Sequence, residues 1–296
     1  MEIRVDAVAA SDDGAHELAQ LAEAAALEEM LRLQAVFSVY DPDSELCRWR
    51  AGDTDDVSGD LSTCLAAAEQ WWRLSGGAFH PAAGQLRALW LAADQHQRLP
   101  DEQELGEVTA GLARLPFLVD HGLVRRTGDC SGVDLNAIAK GYIVDRAVLA
   151  AATASGVVDV LVNAGGDLRH RGDRELRVGV EHPADGAGEP AAVIPLADGA
   201  VATSGSVHRG FRIAGTWYSH VLDPRTGRPV AGRPSTTIRA PDAMTADAVA
   251  TIANVLDWRE VENVLSTLPG MAALAVDTAG AIRRSGSWLP GGVPPR

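Results

Sequence analysis

The chain has 296 residues, 46% of them hydrophobic and 22% charged, which is ample for a buried core and excludes an intrinsically disordered chain. Forty acidic residues against 26 lysines and arginines give a net charge of −14, the wrong sign for a nucleic-acid or anionic-membrane binder, though a local basic pocket for a phosphate stays open. Cys47, Cys64 and Cys130 lack CxxC spacing, which argues against a disulfide framework or a zinc ribbon.

No apolar run reaches the roughly 20 residues of a membrane span. The longest uncharged stretch, Asn263 to Val276, is interrupted by Pro269 and Gly270. Met1 leads at once into Glu2, Arg4 and Asp6, unlike a signal peptide, so the expected location is cytoplasmic.

In chain order, Glu2 to Val8 alternates as a strand, and His16 to Leu33 reads as a helix with apolar Leu18, Leu21, Ala25, Leu27 and Leu31. Phe37 to Arg50 is rich in turn residues. Leu61 to Leu74 and Pro81 to Gln95 read as helices, with a loop around Pro100. Strand-like residues from Phe117 to Val124 lead to a helix over Asn136 to Ala152, capped by Asp134 or Asn136. Short strands follow at Val157 to Val162, Glu175 to Glu181, Ala191 to Pro195, Ala200 to Thr203, Phe211 to Ile213 and Thr236 to Ala240. Helices return at Ala243 to Leu256 and Glu260 to Leu265. Met271 to Val276 and Ala281 to Arg284 pair as a hairpin through Thr278, Ala279 and Gly280, and the tail from Pro290 to Arg296 is expected to fray. Helices first, strands next and helices again predict an α+β protein with a mixed sheet and no interdomain linker.

Lys140 is the single lysine among those 26 basic residues. Its survival in a chain that otherwise uses arginine points to a position where a compact ammonium serves and a planar fork does not. It lies about one turn into the Asn136 helix, whose free N–H groups favour an anion, while Asp134 is placed to accept hydrogen bonds from a ribose or base. A capped helix with a surface lysine is the plainer account.

The helix from Ala243 to Leu256 carries one charged residue, Asp247, flanked by alanines on the helical wheel. Asp247 and Thr251, four apart, share a face opposite the stripe of Val249, Ile252, Ala253 and Leu256. A solvated face in this chain normally carries Glu or Arg, so the carboxylate reads as buried and in need of a partner. An Asp and Thr oxygen pair suits Mg²⁺, which takes few protein ligands and fills its shell with phosphate and water.

Weaker signals are Asn163-Ala164-Gly165-Gly166-Asp167, which a hairpin turn explains equally well, and His220 before the turn Asp223-Pro224-Arg225-Thr226-Gly227. Gly128-Asp129-Cys130-Ser131-Gly132 has the spacing of a nucleophile elbow but lacks the buried strand before it. Gly186-Ala187-Gly188 reads as a loop, not a dinucleotide fingerprint.

Taken in order, FSVYDPDSEL at 37–46, GGAFHPAAGQLRALW at 76–90, VDLNAIAKGYIVDRA at 133–147, LVNAGGDLRHRG at 161–172, VATSGS at 201–206, SHVLDPRTGRPV at 219–230 and TADAVATIANVL at 245–256 resemble the FAD:protein FMN transferase (ApbE) family. The resemblance implies one domain over 1–296, with a mixed, largely antiparallel sheet flanked by helices and two intimately joined lobes around an FAD cleft. It implies transfer of the FMN part of FAD to a threonine or serine of a target flavoprotein bearing a flavinylation motif, with release of AMP. Mg²⁺ would be held by Asp247, Thr251 and the main-chain carbonyl of Ala137. FAD contacts fall on Tyr40, on Ala78, Phe79 and His80, on Asp134 and Lys140, and on His220 and Val221. His220 is the expected base and Asp247 the expected catalytic metal ligand. Hydrolysis of FAD to FMN and AMP, or flavin binding without catalysis, are the alternatives.

Two departures stand out. The family's Phe-Asp-Pro-Thr is Phe79-His80-Pro81-Ala82 here, which exchanges an acid for a candidate cation. A Met-Gly-Thr segment usually precedes the family's first strand, whereas Met1 opens directly on Glu2.

Overall fold

In the computed structural model, which describes residues 1–183, 189–205, 209–230, 235–277 and 279–288, strand β1 (Glu2–Ala7) leads into a long helix, α1 (Asp12–Phe37). Helices α2 (Glu45–Ala51), α3 (Gly59–Leu74), α4 (Gly84–His96) and α5 (Glu102–Gly111) follow, then β2 (Phe117–Asp120), β3 (Leu123–Arg126) and α6 (Asn136–Ala151). The strand-rich part comprises β4 (Val157–Ala164), β5 (Asp167–Gly172), β6 (Leu176–Val180), β7 (Ala192–Leu196), β8 (Gly199–Gly205), β9 (Gly210–Ile213), β10 (Thr216–Ser219) and β11 (Ser235–Ala240). Helices α7 (Ala243–Val255) and α8 (Trp258–Ser266) and strands β12 (Ala272–Val276) and β13 (Ile282–Gly286) complete it.

Seven strands form one sheet in the order β1-β4-β5-β8-β11-β12-β13. The class is α+β as expected, and each neighbouring pair in this sheet is antiparallel. Tight connections favour that arrangement: Gly165 and Gly166, both at positive φ, join β4 to β5 directly. The central strands are buried on both faces and sort their side chains with a period of two. Val160, Val162, Ala200, Ala202 and Ala273 point to the helical side, whereas Leu161, Val201 and Leu274 point to a smaller core roofed by the β6–β7 ribbon. The helical core is continuous from Trp49, Leu61 and Phe117 through Ile138 to Ile238 and Ala253, so the lobes expected from the sequence share one interior.

Helix α1 departs from its expected face. Leu21, Leu27 and Leu31 are exposed, and the helix docks through Ala22, Ala26, Leu33, Val36 and Phe37. Its neighbour is α6, and small alanines let the two axes approach where leucines would hold them apart. Two short helices replace segments expected to be irregular. In α2 the Ser44 hydroxyl accepts from the Cys47 N–H and Gly52 closes the end in a left-handed conformation; in α5 Asp101 and Glu104 form a capping box. Phe117 to Val124 is a hairpin rather than one strand, turning at His121 and Gly122, both at positive φ. Strand β10, absent from the sequence reading, pairs with β9. Helix α6 is capped by neither expected residue. Leu135 holds the cap position, and Asp134 accepts from the Asn136 N–H at 2.8 Å. The tail from Pro290 to Arg296, the Gly186 to Gly188 loop and Thr278 of the last hairpin lie outside the described residues. Among the described residues no helix is long and apolar enough to cross a membrane.

Helices α6 and α7 cross at very close range. A Cβ on Gly141 would lie 2.1 Å from the Ala243 carbonyl oxygen, so the two backbones touch where only glycine fits. Asp145, one turn further along α6, accepts from the N–H groups of Ala243 and Met244 at 2.8 and 2.9 Å and so caps the start of α7. Gly141→Ala is expected to lower stability by about 1–3 kcal/mol through overpacking, read by denaturant unfolding; an unchanged midpoint would contradict this backbone contact.

Candidate active site

The α6–α7 crossing brings three charged groups into contact, two of them buried. Asp247 on α7 is 5% exposed, and Asp167, the first residue of β5, is 2% exposed. The Lys140 Nζ donates to Asp247 Oδ1 at 3.2 Å and to Asp167 Oδ2, and the Gly141 N–H lies 3.4 Å from Asp247 Oδ2. The lysine side chain is 50% exposed, and its ammonium meets the two buried carboxylates at their solvent edge. Burial pushes the Asp247 carboxyl well above the ordinary carboxylate range, and the like charge of Asp167 adds to this, against the pull of Lys140. Asp167 is also raised by burial, with Lys140 opposing. For Lys140 burial works against the charge, but the two carboxylates outweigh it and hold the ammonium above its ordinary value.

This cluster is short of positive charge. Two carboxylates face one ammonium, and among the described residues no other basic side chain is bonded to either acid. Ala137, one turn before Lys140, and Thr251, one turn after Asp247, are both partly buried on the same two helices. Carboxylate, hydroxyl and carbonyl oxygens are the donors that a small hard cation takes, and the missing charge is the kind it supplies. No group of three or more His, Cys, Asp or Glu side chains gathers as a metal cluster among the described residues. The fit is therefore to a cation that leaves most of its shell to other ligands.

The remaining expected residues sit on segments tied to this crossing. The Asp134 N–H donates to the Pro81 carbonyl at 2.6 Å, which joins the 78–84 turn to the start of α6. Tyr40 is 87% exposed and shares an open cleft of ≈ 430 Å³ with Arg50 and Ser131, and the Arg50 guanidinium donates to the Ser131 carbonyl. Ala78 and Phe79 are buried, so what they present to a ligand is main chain. Trp90 of α4 donates to the Gly227 carbonyl at 2.8 Å and packs on Tyr218 of β10 at 5.4 Å, which holds the 220–227 segment on α4. Among the described residues neither His220 nor Tyr40 is hydrogen-bonded to the Lys140 cluster; the ties run through Pro81 and Trp90.

His220, the base expected from the resemblance, has one ring nitrogen engaged and a lowered pKa. Its Nδ1 donates to the Arg209 carbonyl at 2.9 Å, which leaves the Nε2 lone pair free. Burial lowers its pKa below the ordinary imidazole value, the Arg209 main chain opposes, and the charges of Arg209 and Arg87 lower it further. Val221, beside it, is buried and receives a hydrogen bond at its carbonyl from the Val230 N–H.

His80 is not the cation expected from the sequence. Burial lowers its pKa to about 4, so the ring is neutral, and its Nδ1 accepts from the Ala82 N–H at 3.0 Å. That bond to the residue two ahead is the one an Asp makes in an Asx turn, so the imidazole supplies the turn closure without a buried charge. Cys130 is buried, with its thiol pushed up to about 11, which disposes of a nucleophile elbow. Sequence reasoning missed the roles of Asp167 and Asp145. Asp167 sits in a glycine turn that needs no function, and Asp145 is the single acid of α6, whose partners, the N–H groups of Ala243 and Met244, lie about a hundred residues further along the chain.

Residues 1–275 match the ApbE family. The chain is 32% identical over 294 residues to the FAD:protein FMN transferase of Treponema pallidum, covering 88% of this chain and 79% of that protein. Among solved structures it is similar to the ApbE protein of Thermotoga maritima, at 32% identity and TM-score 0.79, covering 96% of this chain and 93% of that one. It is also similar to the flavin transferase ApbE of Vibrio cholerae, at 26% identity and TM-score 0.73, covering 95% and 90%. At this identity and coverage, and with this fold, the chain belongs to the ApbE family.

Proposed function

We propose that this chain is an FAD:protein FMN transferase that moves the FMN part of FAD onto a threonine or serine hydroxyl of an acceptor flavoprotein and releases AMP. One observation carries the reading: two buried carboxylates share a single ammonium at the helix crossing where the family resemblance places a divalent cation. Asp247, Thr251 and the Ala137 carbonyl are the groups that would hold Mg²⁺. The ion, when bound, would neutralise charge on phosphate oxygens and act as a Lewis acid.

The chain's own residues supply the rest. An acceptor hydroxyl oxygen attacks the FMN phosphorus, a new P–O bond forms, and the bond from that phosphorus to the bridging oxygen breaks, so that AMP leaves. His220 Nε2 takes the hydroxyl proton, and its lowered pKa keeps that nitrogen unprotonated at neutral pH. Lys140 adds positive charge beside the phosphates. The main chain around Ala78 and Phe79, together with Asp134, Tyr40 and Val221, orients the dinucleotide.

Incubation with FAD and Mg²⁺, with and without an acceptor bearing a flavinylation motif, tests this directly. AMP together with flavinylated acceptor is the expected result. AMP without modified acceptor identifies a hydrolase, and bound FAD without AMP identifies a flavin binder. Asp247→Asn is expected to abolish cation-dependent AMP release. The same change removes a buried like-charge repulsion, so the melting temperature of the cation-free protein is expected to rise by roughly 2 °C. His220→Asn is expected to lower kcat by about 10²- to 10⁴-fold. In the unsubstituted enzyme the acidic limb of the pH–rate curve should fall below the ordinary imidazole pKa, because the neutral base persists to lower pH, and that limb should vanish in the variant.

A further inference from the structure

Asp247 cannot give its charge fully to an arriving cation while it also neutralises Lys140. An ammonium that releases Asp247 stays at the site only if a second anion holds it, and the buried carboxylate of that anion in turn needs a positive partner. Asp167 meets that need. It comes from a different element, its side chain is almost wholly buried, and Lys140 is its bonded cation among the described residues. Gly165 and Gly166, both at positive φ, turn β4 into β5 so that Asp167 begins β5, beside α6.

We propose that Asp167 is a positioning residue that holds the Lys140 ammonium, and that Lys140 is the resident counter-ion a divalent cation displaces from Asp247. Asp167 thereby lets ammonium and cation sit in one site instead of competing for one carboxylate. The inference rests on the cation-dependent reading above and deepens it. It also accounts for the identity of residue 140. A point charge with three donors turns from two acids to one without leaving the site, whereas a planar guanidinium fork is fixed to one geometry.

The chain's single lysine makes the test specific, since an amine-acetylating reagent followed by peptide mass spectrometry reports on Lys140 alone among side chains. In the unsubstituted protein without flavin, Mg²⁺ is expected to change the acetylation rate at Lys140 by less than about twofold, because the Asp167 carboxylate still engages the amine. In Asp167→Asn, Mg²⁺ is expected to accelerate acetylation at least about fivefold, as the ammonium loses its remaining partner. Acceleration in the unsubstituted protein equal to that in the variant, or none in the variant, overturns the proposal. Mn²⁺ binding to the flavin-free protein, followed by the loss of the free-ion paramagnetic resonance signal, supplies the second measurement. Lys140→Gln, at a half-exposed side chain that leaves the core intact, is expected to bind Mn²⁺ at least about threefold more tightly than the unsubstituted protein; equal or weaker binding overturns the displacement. Absence of Mn²⁺ binding to the unsubstituted protein fails the cation-dependent reading itself, whereas binding that Lys140→Gln does not tighten fails this inference alone.

Discussion

The approach of α6 to α7 at Gly141 is the constraint on which the site depends. Two helices normally stand 8–10 Å apart because side chains intervene. Here Gly141 presents no side chain, and α7 meets it with main chain at Ala243 and Met244. The rest of α7 is built for the same closeness, with buried Ala246, Ala248, Ala250 and Ala253. Asp145 closes the contact chemically by accepting the N–H groups of the first two α7 residues. Geometry then places Asp247, one turn into α7, against Gly141 and Lys140. A larger residue at position 141 would not merely loosen a core; it would separate the carboxylate from the groups that make it useful.

That closeness has an electrostatic consequence. Burial raises the carboxyl groups of both Asp247 and Asp167, and their mutual repulsion raises Asp247 further. A core selected for stability alone would neutralise such a pair or replace it with apolar groups. Two acids against one ammonium leave a deficit of positive charge, which the proposed cation would relieve. Binding would then return stability that the ligand-free protein lacks. The arginine-dominated composition sharpens the point, because a chain that uses arginine for each of its other Lys/Arg positions keeps lysine where a compact ammonium bridges acids from two different elements.

Much of this is legible in the sequence. The lone charge on an otherwise alanine-rich helix marks Asp247 as buried, and a single lysine marks position 140, because both are anomalies of composition that need no partner to be noticed. The contact between them is not legible, since it joins residues 107 apart in the chain. Asp167 is hidden for a related reason: a glycine turn explains its segment locally, and only the β5–α6 packing gives the acid a partner. The misread face of α1 has another cause. That helix is apolar on more than one side, and the choice between a leucine stripe and an alanine stripe is made by how closely α6 approaches. Short helices α2 and α5 are set by caps, Ser44 and Asp101, that also serve as turn residues, so local sequence fits both outcomes. At His80 the identity of the side chain misleads: a histidine in place of an acid reads as a charge change, yet burial keeps it neutral and it closes the turn much as an acid would.

Burial acts with opposite sign on the two halves of the site. It lowers the pKa of His220 and so favours the unprotonated form that a base requires. It raises Asp247 and so opposes the ionised form that a cation ligand requires. The base is therefore ready in the absence of any ligand, while the charged cluster becomes fully ionised only when more positive charge arrives. The two halves are held in register by neutral hydrogen bonds, from Asp134 to Pro81 and from Trp90 to Gly227, which no change of protonation disturbs. On the proposed reading, cation and phosphates would complete the electrostatics of the α6–α7 crossing, and an acceptor hydroxyl would meet a base already unprotonated.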